Sequence, residues 1–71
     1  MTDTKLFREK VKHRGLKYAF LADLLGITTF GLQKKIDNVT EFKASEIAKL
    51  SEALDLTTDE RNHIFFAPSS D

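Results

Sequence analysis

The sequence contains no cysteine, which removes a disulfide framework, a thiolate metal site and a cysteine nucleophile together. No apolar run approaches the roughly 20 residues that a membrane span needs. The first residues lack the charged, apolar, small-residue order of a signal peptide. A cytoplasmic chain with no membrane partner is therefore expected. Internal repeats, low-complexity tracts and linkers are missing, and no useful stretch alternates apolar and polar residues with the period of a strand. Net charge is absent too: eleven Lys and Arg balance eleven Asp and Glu, which on its face argues against a polyanionic partner.

Seventy-one residues make one domain with a single small core. A hydrophobic content of 41% beside 31% charged residues describes a folded soluble chain rather than a disordered tail. The zero net charge hides an uneven distribution. Residues 1–35 carry eight basic against three acidic residues, a balance of +5, and residues 36–71 carry three against eight, −5. A basic half is able to face a polyanion while the acidic half faces solvent or a partner, or the two signs simply sort onto solvated faces.

Three glycines and one proline punctuate a helical pattern. Leu6, Phe7, Lys10, Val11 and Arg14 form an amphipathic first helix, with Asp3 or Thr4 to cap its start and Lys12, His13 and Arg14 to complement the dipole at its end. Gly15 suits the left-handed position that stops it. Tyr18 to Leu25 predicts a second helix, ended by Gly26. Thr28 caps a third that runs to about Asp37, with Asn38 as a left-handed stop. Ile47, Leu50 and Leu54 space out a fourth over roughly 44–54. Thr57 and Glu60 fit a capping box for a short fifth helix through Phe65. The expected organisation is all-α, with one domain over 1–67 and a frayed tail over 68–71.

The informative stretch is Leu21-Ala22-x-x-Leu25-Gly26-Ile27-Thr28-x-x-x-Leu32-x-x-x-Ile36. Ala22 is small where two helices must approach closely. Gly26 takes the positive φ of a sharp turn. Leu21, Leu25, Ile27, Leu32 and Ile36 face inward and set the angle between the helices. Thr28 then caps a helix whose N-terminal residues are presented outward, a geometry that a major groove accepts. With Phe42-x-Ala44-Ser45-Glu46-Ile47-x-x-Leu50 and Leu54-x-Leu56 following in order, nearly the whole chain resembles the phage Cro/repressor type of helix-turn-helix regulator, the Xre-like family.

That resemblance implies a five-helix, lambda-repressor-like DNA-binding domain acting in a bacterial host cell. It implies phosphate contacts at Lys17 and Tyr18 and base reading at Thr28, Thr29, Phe30, Gln33 and Lys34, with Lys35 as a neighbouring backbone contact. The chemistry fits several of these. Gln33 is able to bond adenine bidentately, Lys34 to reach guanine or a phosphate, and threonine or phenylalanine to touch a thymine methyl. The partner implied is double-stranded operator DNA, bound by a homodimer on a pseudo-palindromic site.

Several residues depart from the family's habit. Thr29-Phe30-Gly31 stands where hydrogen-bonding side chains are common, and Gly31 costs roughly 1 kcal/mol against alanine inside a helix. Asn38-Val39-Thr40-Glu41 follows the recognition helix, where an acid repels phosphate. Phe20 and Leu24, one helical turn apart, form an apolar patch with Phe30 unless Phe20 packs inward against Phe7 or Phe42. Ile64, Phe65 and Phe66 close the core, or Phe66 adds to a dimer contact. The alternative function is accordingly an antirepressor or co-repressor that keeps the fold but acts on a partner repressor protein through Phe20, Leu24, Phe30 and Phe66.

Catalysis and cofactors are not expected. His13 and His63 stand alone in the sequence without ligand spacing. Asp55, Asp59 and Glu60 gather at a helix start, where the dipole alone accounts for acids. Ser45 and Ser51 lie on a helix with no histidine placed to activate them.

Overall fold

Local chemistry sets the helix boundaries. In the computed structural model, which describes residues 1–68, these are α1 Thr4–Arg14, α2 Tyr18–Leu25, α3 Thr29–Ile36, α4 Ala44–Ala53 and α5 Thr58–Phe65, with no strand among the described residues. The all-α expectation holds there. Asp3 caps α1 by accepting the Leu6 N–H at 3.0 Å. Thr57 accepts the Glu60 N–H at 3.1 Å while the Glu60 carboxylate accepts the Thr57 N–H at 2.9 Å, the reciprocal pairing expected for α5. Before α4 the Glu46 carboxylate reaches back to the Lys43 N–H at 2.8 Å.

The α2–α3 connection is short because Gly26 adopts φ 70°, where any other side chain except asparagine or aspartate is strained. Its N–H and that of Ile27 return to the carbonyls of Asp23 and Ala22, so the end of α2 is satisfied before the chain turns. The Thr28 hydroxyl then accepts the Gly31 N–H at 3.0 Å and starts α3. Gly31 has a reason here that its helix propensity hides: a Cβ at that position would lie 3.3 Å from the capping hydroxyl.

Phe7, Val11, Leu21, Ala22, Leu32, Ile36, Ile47, Leu50, Leu54, Ile64 and Phe65 form the core. α2 packs against both α3 and α4, while α1 and α4 pack against α5. Phe7, Phe42 and Phe65 make an aromatic triangle with centroids 5.3–5.9 Å apart, joining α1, the α3–α4 loop and α5. Leu25 and Ile27 are partly buried and pack against the core. Phe20 is not part of that packing. Its ring is 52% exposed, because Phe42 and Phe65 already surround Phe7. Ile64 and Phe65 close the core as expected, whereas Phe66 is 60% exposed. Of the expected frayed tail, Pro68 is exposed and irregular, and residues 69–71 lie outside the described residues.

No helix among the described residues is long and apolar enough to cross a membrane.

Candidate nucleic-acid interface

The uneven charge along the chain is partly consumed within the fold. Arg8 pairs with Asp37, Lys10 with Glu60, Arg14 with Asp55 and Lys35 with Glu46. Each pair joins a base from residues 1–35 to an acid from residues 36–71. Half of the eight cations in the basic segment are thereby engaged. Lys5, Lys12, Lys17 and Lys34 are outside these ion pairs among the described residues.

The eight residues of α3 point their side chains in three directions. Leu32 and Ile36 are buried. Lys35 turns toward α4: its ammonium lies 3.0 Å from the Glu46 carboxylate and donates to the Glu41 carbonyl at 2.9 Å, and its side chain is only 13% exposed. The Lys35 expected as a backbone contact is thus paired with an acid and largely covered. Burial raises the Glu46 carboxyl, but the Lys43 N–H and the Lys35 ammonium outweigh burial and leave it below the ordinary value.

Gln33 turns the opposite way, toward α1. Its carbonyl oxygen accepts from the Arg8 guanidinium at 2.8 Å, and the same guanidinium reaches Asp37 at 3.2 Å. The Arg8 group also lies 5.7 Å from the centre of the Tyr18 ring. One arginine of α1 thus clips the start of α2 to the end of α3. The bidentate adenine reading expected of Gln33 would use that same carbonyl oxygen, which already accepts one of its two possible hydrogen bonds from Arg8. Arg8 is the residue sequence reasoning missed. Its position beside the Phe7–Val11 stripe marked it as flanking the core, but nothing marked which helix it would meet.

The remaining residues face outward. Thr29 is exposed at the first position of α3. Phe30 follows at 73% exposure, and the Lys34 ammonium lies 5.5 Å from its ring centre, one turn along the helix. Lys17 is exposed at the N-cap of α2 with no side-chain bond to that helix, and Tyr18 is half-buried beside it. Thr28 is exposed but commits its hydroxyl to the cap. Val39, in the turn after α3, is 68% exposed, an apolar surface residue that no sequence signal singled out.

A groove between α1 and α5, lined by Leu6, Glu9, Lys10, His13, Glu60 and His63, brings together the two histidines that stand far apart in sequence. No three His, Cys, Asp or Glu side chains gather as a metal site among the described residues. Within the groove wall the Lys10 ammonium hydrogen-bonds Glu60 directly and, with the Thr57 N–H, holds the Glu60 carboxyl down at about 2.

No family model, curated protein or solved structure matches the chain.

Proposed function

We propose that the chain is a DNA-binding regulator of the phage Cro/repressor type, with α2 and α3 as the helix-turn-helix of a lambda-repressor-like domain. The carrying observation is the outward face of α3, where Thr29, Phe30 and Lys34 stand exposed or half-exposed on a helix start fixed by the Thr28 cap. A rigidly displayed helix N-terminus is what a major groove admits. Lys17, at the N-cap of α2 and outside the ion pairs, supplies a phosphate contact, and Lys34 supplies a second cation. The partner is operator DNA inside a bacterial host, bound by a homodimer. No cofactor or catalytic step enters this reading.

The test is binding to duplexes enriched from a random-sequence pool, followed across a salt series. Each phosphate contact contributes about 0.9 to the slope of log affinity against log salt. Lys17→Ala is expected to lower that slope by about one contact, and Lys34→Ala to weaken binding as well. A pool that yields no enriched duplex, or binding indifferent to salt, refutes the proposal.

A second reading has its own observation. Phe20 is 52% and Leu24 37% exposed, one turn apart on α2, a larger apolar display than a lone surface residue makes. In that reading the chain is an antirepressor or co-repressor, and this patch docks on a partner repressor. Phe20→Ser with Leu24→Ser then abolishes the effect on the partner and leaves direct DNA binding unchanged.

A further inference from the structure

Resting on the DNA-reading proposal, we infer that Phe30 and Lys34 work as one reading head for a thymine methyl group beside a guanine. Phe30 is the most exposed large apolar side chain among the described residues, and it sits at the second position of α3. A phenyl ring offers a base edge no hydrogen bond. The apolar feature that base pairs present in the major groove is the thymine methyl.

The neighbouring side chains narrow the reading further. The Thr28 hydroxyl accepts from the Gly31 N–H and the Gln33 carbonyl from Arg8, so each has a partner inside the protein, whereas Phe30 and Lys34 face outward together. Lys34 is in no ion pair among the described residues and stands over the Phe30 ring at 5.5 Å. The ring holds the ammonium near itself, so the cation and the apolar edge meet the groove side by side. A lysine there matches the paired acceptors on the guanine edge, and the ring matches a methyl on the adjoining base pair.

This head discriminates by a methyl group, which makes it testable atom by atom. Duplexes are first enriched from a random pool with the unaltered protein. Each thymine of the best duplex is then replaced in turn by deoxyuridine, and each guanine by 7-deazaguanine. Burying one methyl group corresponds to about a fourfold change in affinity. One deoxyuridine per half-site is expected to weaken binding by about that factor, and an adjacent 7-deazaguanine to weaken it as well. Phe30→Ala is expected to bind thymine and deoxyuridine duplexes equally, and circular dichroism checks that it stays folded, as its exposure predicts. If every deoxyuridine duplex binds as tightly as its thymine parent while the salt slope stays steep, the methyl inference is overturned and the DNA reading stands. If the pool enriches nothing, both fall.

Discussion

Asn38 pairs with Thr2 through both ends of its amide: the Thr2 N–H donates to Oδ1 at 2.8 Å, and Nδ2 donates to the Thr2 carbonyl at 2.9 Å. A side chain thereby replaces a strand partner for the segment before α1. Asn38 has φ 64°, a conformation asparagine adopts more readily than other residues with a side chain. One residue therefore ends α3 and anchors the segment that leads into α1. Thr4 adds to the same junction, donating its hydroxyl to the Ile36 carbonyl at 2.6 Å.

Substitutions separate the two roles of Asn38. Asn38→Gly keeps the left-handed backbone and loses both amide bonds, at an expected cost of about 1–3 kcal/mol. Asn38→Ala loses the same bonds and adds roughly 1 kcal/mol or more of backbone strain. Urea denaturation should rank wild type above glycine and glycine above alanine. A glycine variant as stable as the parent would show that the Thr2 pairing contributes nothing net.

The inward turn of Lys35 has its own consequence. Lys35→Met leaves the Glu46 carboxylate buried without its cation, and a loss of about 3 kcal/mol is expected. Adding Glu46→Gln removes the stranded charge while keeping an acceptor for the Lys43 N–H, and should restore more than half of that loss. The double variant should also keep the parent's salt slope on DNA if Lys35 keeps its contacts to Glu46 and Glu41 in the complex. A slope lowered by about one contact would return Lys35 to the interface.

The sequence made the helices legible because their ends are local events. Asp3, Gly26, Thr28 and the Thr57–Glu60 box each act within four residues, so each could be read without knowing the fold. Asn38 was legible as a left-handed stop, but its pairing with Thr2 was not. The directions of Gln33, Lys34 and Lys35 were not legible. On a helix three successive residues face three ways, about 100° apart. Leu32 and Ile36 identified the buried stripe but not which flank would meet α1 and which α4. That choice depends on Arg8 and Glu46, which are distant in sequence from the residues they hold. The pairing of the basic first half was hidden for the same reason, since four of its cations meet acids in the second half.

Acid should weaken the α1–α5 contact in a defined window. The Lys10 hydrogen bond and then the Thr57 N–H lower the Glu60 carboxyl from 4.5 to about 2 in the fold. The unfolded chain therefore takes up this proton first. The contribution of Glu60 is complete above pH 4.5 and is lost as the pH falls through about 2. Melting temperature followed across that interval should drop less steeply in Glu60→Gln than in the parent. Some slope should remain, since Glu46 is displaced in the same direction. Lys10→Met removes the largest cause and should also flatten the profile. A Glu60→Gln curve parallel to the parent's would show that the pair carries no pH-linked stability.

Arg8 and Gln33 decide whether α3 carries a polar reader or a structural clip. Their hydrogen bond, with the Asp37 contact beside it, links α1 to α3 across 25 residues of chain. A clip predicts energetic coupling: Gln33→Ala and Arg8→Ala together should cost less than the sum of the two alone, by about 0.5–1.5 kcal/mol. It also predicts a particular pattern on DNA. Gln33→Ala should weaken binding to all duplexes by a similar factor, because α3 is held less firmly. Lys34→Ala should instead relax preference at one base pair, because it removes a contact to a base edge. Profiling each variant against every single-base change in the enriched duplex distinguishes the two. If Gln33→Ala relaxes preference at one adenine and leaves the others unchanged, Gln33 reads a base despite its bond to Arg8, and the clip assignment fails.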